Sequence, residues 1–266
     1  MNTQFLSTSG GRLAYEISGS GPLVICAPSM GDMRAEYRFL TPRLVAAGFR
    51  VACMDVRGLG ESSTGWADYS APAVGADMLA LIAALGGAPA VLIGDSMAGG
   101  AAVWAAAEQP AAVSRLVLID PFVRGEVDPV TRLMYNLLFA RPWGAAAWLM
   151  YYNSLYPSRQ PADFPAYRAA LRANLAEPGR LEVLRSMLLA SKTPVEKRLP
   201  EVKAPVLVLM GSKDPDFKNP ESEAAWVAQA LRGRYQMIPG AGHYPHAEMP
   251  DETCAPVLAF LQSLPA

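Results

Sequence analysis

The sequence predicts an α/β fold, with a mostly parallel sheet of about eight strands and a helical cap inserted after the sixth strand. Two observations lead to this prediction. Short continuous apolar runs, typical of strands that are covered on both faces, alternate with segments of helical periodicity. The alternation stops near residue 122 and resumes near residue 200. We therefore expect a core built from residues 1–122 and 200–266, and a cap built from residues 123–199.

The first part of the core is expected to contribute six strands. A hairpin begins the chain, because residues 12–17 alternate in polarity after the turn residues Ser9, Gly10 and Gly11. Apolar runs predict four further strands, at residues 23–27, 50–54, 90–93 and 115–119. Helical patterns lie between them, at residues 37–44 and 71–85 and from Met97 onwards. Strands joined through helices lie parallel and connect by right-handed crossovers.

Helical periodicity without a strand pattern characterises residues 123–199. The first predicted cap helix has apolar residues at positions i, i+3, i+4, i+7 and i+8, namely Val130, Leu133, Met134, Leu137 and Leu138. Two further cap helices are expected around Trp148 and Leu184. Beyond the cap, the alternation resumes with strands at residues 205–210 and 235–238 and helices at residues 221–231 and 250–261.

Composition excludes several classes of function. The 266 residues include 23 Lys plus Arg and 24 Asp plus Glu, so the net charge of −1 gives no field to hold nucleic acid or an anionic membrane. The longest apolar stretch, residues 78–94, is broken by Gly86, Gly87 and Pro89, which predicts no membrane span. The first residues lack the basic and apolar regions of a secretory leader, so we expect a cytoplasmic protein.

The three cysteines support the same location. Cys26, Cys53 and Cys254 are widely spaced and form no CxxC pair, so we expect buried free thiols. We expect no metal site, because neither of the two histidines, His243 and His246, has a zinc-binding pattern of cysteines or carboxylates around it. A phosphate-binding loop and a dinucleotide fingerprint are also missing, so no cofactor is expected.

A serine between small residues stands where a predicted strand meets a predicted helix. The segment reads Gly94-Asp95-Ser96-Met97-Ala98. Such a tight turn projects the serine hydroxyl outwards and directs the first amides of the helix to the same point. The segment resembles the G-x-S-x-G nucleophile elbow of the α/β-hydrolase family, with Ala98 in place of the last glycine. Since alanine adds only one methyl group, we expect the elbow to be retained.

The resemblance extends to the base and the acid that a serine nucleophile needs. His243 lies in Gly240-Ala-Gly-His-Tyr-Pro-His-Ala-Glu-Met-Pro250, which is similar to the family's histidine loop, and His246 is expected to be a rim residue. Asp214 follows a strong apolar strand in a segment similar to the family's acid loop, and the order Ser96, Asp214, His243 is the family's order. Asp120, at the end of another strand, is the alternative acid.

Two backbone amides are expected to stabilise the charge that develops on a substrate oxygen. The resemblance implies the amide of Met97 as one donor and that of Met30, in the loop after residues 23–27, as the other. We expect Asp32, in the same loop, to cap the following helix, and Asp216 to be a solvated loop carboxylate. The similar segment from Asp55 to Ser62 is interpreted as structural.

These residues predict a serine hydrolase that cleaves a carboxylic ester or a similar acyl compound through an acyl-serine intermediate. The aromatic and methionine-rich cap favours a small-to-medium apolar acyl substrate. Three alternatives remain open: a carbon–carbon bond hydrolase, a cofactor-free haloperoxidase or perhydrolase, and a non-catalytic ligand-binding relative. The sequence leaves the oligomeric state open.

Overall fold

Eight strands form one sheet in the computed structural model, which describes residues 2–263. The strands are β1 (Gln4–Thr8), β2 (Gly11–Ser18), β3 (Leu23–Ala27), β4 (Arg50–Met54), β5 (Ala90–Asp95), β6 (Val113–Ile119), β7 (Val206–Gly211) and β8 (Arg234–Ile238). Their spatial order is β1-β2-β4-β3-β5-β6-β7-β8. The pairs β1–β2 and β2–β4 are antiparallel, and all other pairs are parallel. The predicted α/β fold and its eight strands are confirmed.

Eleven α-helices are present among the described residues. They are α1 (Leu40–Ala46), α2 (Ala71–Leu85), α3 (Met97–Glu108), α4 (Pro129–Leu138), α5 (Gly144–Ser154), α6 (Phe164–Ala176), α7 (Arg180–Leu189), α8 (Thr193–Glu196), α9 (Pro220–Ala230), α10 (Pro245–Glu248) and α11 (Pro250–Gln262). A 3-10 helix, Arg34–Arg38, precedes α1 where the sequence predicts one continuous helix. None of the helices in residues 2–263 has the length and apolarity required to cross a membrane.

Strands β3 to β7 are buried on both faces, whereas the edge strands β1 and β8 are largely exposed. Within β3, Val24 packs with the core residues of α1 and α11, whereas Ile25 packs with those of α2 and α3. This follows from the two-residue period of a strand, which sends neighbouring side chains to opposite faces. Fully burying each such side chain stabilises the fold by about 1.5–3 kcal/mol. The three cysteines are free and buried, as expected.

Five helices, α4 to α8, occupy the chain between β6 and β7. The predicted helices around Leu133, Trp148 and Leu184 correspond to α4, α5 and α7, whereas α6 and the four-residue α8 were not predicted. The sequence of α6 does contain a helical pattern, because four buried residues recur at spacings of three, four and four: Phe164, Tyr167, Leu171 and Leu175. The boundaries of a separate cap, 123–199, stay a prediction.

Helix α4 presents its apolar side to solvent. Val130, Leu133 and Leu137 are 77%, 61% and 61% exposed. Thr131 and Tyr135, on another side of the same helix, line a cavity at the carboxyl end of the sheet. The periodicity of the sequence therefore predicts this helix correctly, but the side that packs is not the side of highest apolarity.

Candidate active site

Ser96 lies at a sharp turn between β5 and α3. Its backbone has φ 55° and ψ −119°, a conformation that is strained for a residue with a side chain. Three hydrogen bonds hold its backbone. The Ser96 amide donates to the Ile119 carbonyl at 2.8 Å, and the amides of Phe122 and Gly99 donate to the Ser96 carbonyl at 3.0 and 3.1 Å. Gly94 is required here, because a Cβ at this position would lie 2.2 Å from the Ala98 carbonyl oxygen. The predicted strand, turn and helix are therefore present, with Ala98 accommodated.

His243 and Asp214 form a buried pair in the loops that follow β8 and β7. His243 Nδ1 and Asp214 Oδ2 are 2.7 Å apart. An ionised carboxylate can only accept, so in the neutral imidazole Nδ1 carries the proton and Nε2 is left as the acceptor. His243 and Ser96 line the same cavity. The structure thus gathers the three residues that the sequence singles out, at the same edge of the sheet.

Asp120, the alternative acid, lies beside this pair but contacts the carboxylate rather than the imidazole. Its Oδ1 accepts the Gly211 amide at 2.9 Å, and its Oδ2 meets no donor within residues 2–263. Burial and the neighbouring charge of Asp214 raise the pKa of Asp120 well above its ordinary value. This shift favours the protonated form of Asp120 beside the ionised Asp214. Burial alone would raise the pKa of Asp214, but the charge of His243 and its hydrogen bond to Asp214 lower this pKa.

A second carboxylate, Asp216, also faces His243. Its Oδ2 is 3.7 Å from His243 Nδ1, and the Tyr151 hydroxyl donates to it at 2.6 Å. The expectation of a solvated loop carboxylate is therefore wrong: Asp216 lines the cavity and is largely buried. Burial alone would lower the pKa of His243, but the charges of Asp214 and Asp216 raise it to about 9.

This raised pKa predicts the pH dependence of catalysis. His243 must be neutral to accept a proton, so kcat/KM for an ester should rise with pH through a pKa towards 9, above the ordinary histidine value of about 6.5. Asp216→Asn removes one of the raising charges and should move this limb to lower pH. The measurement is kcat/KM from pH 5 to 10 for both proteins. Glu221→Gln, which removes a negative charge from exposed α9, should leave the limb in place, and a wild-type limb at or below 6.5 would contradict the raised pKa.

A buried polar cluster holds the loop that carries Met30. Glu36 Oε2 accepts the Ser29 amide at 2.9 Å, and Glu36 Oε1 lies 3.0 Å from His246 Nε2. The expected rim position of His246 is wrong, because the residue is fully buried and stacks on Tyr37 with ring centroids 5.0 Å apart. Burial lowers the pKa of His246 to about 3, so its ring is neutral. Sequence reasoning missed Glu36, whose partner His246 is 210 residues away.

Asp32 connects the same loop to the inserted helices. It accepts hydrogen bonds from the hydroxyl groups of Tyr152 in α5, at 2.9 Å, and of Tyr167 in α6. The expected helix cap is not formed, because Met33 holds the cap position without a side-chain hydrogen bond. Asp32 is not among the cavity-lining residues, so its charge does not face the site where an oxyanion would form.

The two expected oxyanion donors are the amides of Met30, in the loop after β3, and of Met97, directly after Ser96. Met30 lines the cavity beside Ser96, and Met97 is the first residue of α3. Neither amide donates a hydrogen bond to another group within residues 2–263. The first amides of a helix have no partner inside it and favour negative charge nearby.

The cavity that contains Ser96 and His243 has a volume of about 310 Å³. Its apolar and aromatic wall includes Phe122, Tyr135, Trp148, Leu155, Leu188 and Tyr244. Four charged side chains also reach it: Glu126, Asp128, Asp216 and Lys192. The size suits a small organic ligand.

Two buried groups of side chains have the donor atoms for a metal ion. In each, one oxygen or nitrogen from every member lies within 4.8 Å of the others: Asp120, Asp214 and His243 in one, and Glu36, Asp95 and His246 in the other. In the first group the histidine nitrogen is already bonded to Asp214, which leaves no open set of ligands. In the second, burial raises the pKa of Asp95 well above its ordinary value, which disfavours the ionised carboxylate that a metal ligand requires.

Comparison with known proteins reveals extensive similarity. Residues 22–250 match the sequence profile of the α/β hydrolase fold. A Mycobacterium tuberculosis protein described as a non-heme bromoperoxidase is 32% identical over 272 residues, which cover 96% of this chain and 99% of that protein. A bromoperoxidase structure from Bacillus anthracis aligns with a TM-score of 0.85 at 20% identity, covering 98% and 100% of the two chains. An enol-lactonase structure from Burkholderia xenovorans aligns with a TM-score of 0.82 at 24% identity, covering 97% of this chain and 99% of that one.

Proposed function

The chain belongs to the α/β-hydrolase family, and from that premise we propose that it is a serine hydrolase of a carboxylic ester or a similar acyl compound. The observation that carries the proposal is one cavity lined by both Ser96 and His243, with His243 held by Asp214 at 2.7 Å. A nucleophile, a base and an orienting acid are the groups that acyl transfer requires. We place this activity in the cytoplasm.

In the proposed mechanism, Ser96 Oγ attacks the substrate carbonyl carbon while its proton passes to His243 Nε2. The negative charge of Asp214 stabilises the imidazolium that results, and the amides of Met97 and Met30 donate to the oxyanion. The imidazolium then protonates the leaving alcohol, and an acyl-serine remains. Water, deprotonated by His243, attacks this acyl group, and the departing Ser96 oxygen recovers its proton. The steps use only side chains and amides of this chain.

The cavity supports a small-to-medium acyl group. Its volume of about 310 Å³ is at the lower end of the range for ligand pockets, and aromatic and aliphatic side chains form much of its wall. Trp148 and Leu188 come from the inserted helices, so the segment between β6 and β7 helps to set the length that fits.

A series of 4-nitrophenyl esters tests the proposal. Each methylene placed in an apolar pocket is worth about 1–3 kcal/mol, so kcat/KM should rise more than tenfold from acetyl to butyryl or hexanoyl esters. It should then fall for long chains, since a cavity of about 310 Å³ cannot enclose them. The measurement is kcat/KM for acyl chains of two to sixteen carbons. A flat series, or a maximum at the longest chain, would argue against this pocket.

The similarity to a protein described as a bromoperoxidase supports a second candidate, peracid formation. Hydrogen peroxide in place of water would attack the acyl-serine and release a peracid together with free Ser96. Peracid yield from acetate or an acetyl ester with peroxide, beside hydrolysis of the same ester, separates the two activities. Two other candidates remain without a specific supporting observation: carbon–carbon bond hydrolysis, tested with a dienone acid, and ligand binding without catalysis.

A further inference from the structure

Lys192 is the only lysine or arginine among the cavity-lining residues of the described chain. It lies just before α8, in the segment between β6 and β7. Its Nζ is 5.6 Å from the centre of the Phe122 ring, and that ring is 5.8 Å from the ring of His243. A single aromatic side chain therefore separates a positive charge from the proposed catalytic base.

The folded chain does not satisfy this charge. Within residues 2–263, no carboxylate lies within 4.0 Å of Lys192 Nζ, and the contact with Phe122 is its closest described interaction. Burial lowers the pKa of Lys192, with a smaller opposing effect from the charge of Glu126. A cation that is partly removed from water without a partner costs free energy, so the position needs an explanation beyond folding.

The acidic residues near Lys192 have other partners. Glu126 accepts hydrogen bonds from the hydroxyl groups of Ser191 and Thr193. Asp128 accepts the amides of Val130 and Thr131 and so caps α4. Glu126 and Asp128 are exposed, where water and salt screen their charge.

The third acid of the cavity is also engaged. Asp216 accepts the Tyr151 hydroxyl at 2.6 Å and lies 3.7 Å from His243 Nδ1. Its charge therefore acts on the imidazole side of the cavity, and it forms no ion pair with Lys192. The ammonium group of Lys192 remains available to a ligand.

We propose that Lys192 binds a carboxylate of the substrate, which makes the substrate an ester or related acyl compound with a second, anionic end. This rests on the proposed hydrolase function. The apolar wall formed by Phe122, Trp148 and Leu188 takes the carbon chain, while the ammonium group takes the charge at its end. Mono-esters of short dicarboxylic acids have this chemistry. Binding such a group by one desolvated charge distinguishes it from a neutral analogue more strongly than an apolar wall can.

The test compares a charged and a neutral ester with the same acyl chain. The charged ester is mono-4-nitrophenyl adipate, and the neutral ester is methyl 4-nitrophenyl adipate. We expect the wild type to favour the anionic ester in kcat/KM, and Lys192→Met to lower the ratio of anionic to neutral kcat/KM tenfold or more. Lys192→Arg should restore much of the ratio. Lys197→Met is the matched control, because Lys197 is exposed and does not line the cavity, and its ratio should equal that of the wild type.

A second pair of esters carries the carboxylate on the alcohol side, so the response shows which end of the substrate meets Lys192. A Lys192-dependent preference in either pair supports the proposal, and equal ratios in the wild type and Lys192→Met for both pairs overturn it. Binding of free adipate, measured by calorimetry in both proteins, does not require turnover. If no ester is hydrolysed, hydrolysis fails as the function. Adipate binding that Lys192→Met weakens tenfold would still support the carboxylate site. Equal adipate binding by the wild type and Lys192→Met would reject it.

Discussion

Replacement of Ser96 by alanine is expected to lower kcat for ester hydrolysis by about 10⁴–10⁶-fold, because it removes the only atom that can form the acyl intermediate. Labelling by a fluorophosphonate probe, which reacts with an activated serine, should be lost as well. The residual rate would come from the amides of Met97 and Met30 and from substrate binding. The measurements are kcat with the best 4-nitrophenyl ester and the extent of labelling.

Two further observations make this experiment decisive. Ser186→Ala, a serine change at an exposed position of α7, should keep wild-type labelling and shows that the probe reports on Ser96. Circular dichroism and thermal unfolding of Ser96→Ala show whether its fold is intact. A folded Ser96→Ala protein that retained a substantial part of the activity would exclude Ser96 as the nucleophile.

Asp214→Asn is expected to lower kcat by about 10⁴-fold, because the amide can donate to His243 Nδ1 and thereby stabilise the wrong tautomer. The pair has a separation of 2.7 Å and is buried, so water cannot take over the carboxylate's part. The measurement is kcat for wild type and variant with one ester at a pH above the acid limb.

Asp120→Asn is the matched control for this change. Asp120 forms no hydrogen bond with the imidazole within residues 2–263, and an asparagine oxygen at the same place can still accept the Gly211 amide, so kcat should fall far less than in Asp214→Asn. The reverse ranking of two folded variants would assign the acid to the end of β6 instead.

The sequence allows prediction where the signal is local. Strands β3 to β7 each contain a continuous apolar run, β2 alternates in polarity, and the turn at Ser96 has its small residues within five positions, so these elements follow from short windows. Asp214 and His243 each stand just beyond a predicted strand, and parallel strands bring their carboxyl ends together. Position alone would also admit Asp120, so the choice of Asp214 rests on the resemblance of its segment and on the order of the three residues to those of the α/β-hydrolase family.

Contacts between distant segments could not be predicted in the same way. Glu36 and His246 are 210 residues apart, and no pattern around either residue indicates that they meet. The same holds for Asp32, which looks like a helix cap in its local sequence and instead accepts two tyrosine hydroxyls from α5 and α6. A buried carboxylate takes whichever donors the tertiary fold supplies, and those donors are visible only once the chain is folded.

Helix α4 illustrates a different limit. Its apolar spacing indicates a helix, but the spacing does not determine which neighbour the helix receives. In the structure its polar and aromatic side lines the cavity through Thr131 and Tyr135 while Leu133 and Leu137 remain exposed.

The backbone at Ser96 has an evolutionary consequence. A φ of 55° at a residue with a side chain costs of order 1–3 kcal/mol, which the surrounding strand and helix must offset. Glycine would adopt the same turn with much less strain, and its greater freedom in the unfolded chain would cancel only part of that gain. Selection for thermal stability alone would therefore tend to replace Ser96, and the serine persists at this position only while its chemistry is under selection.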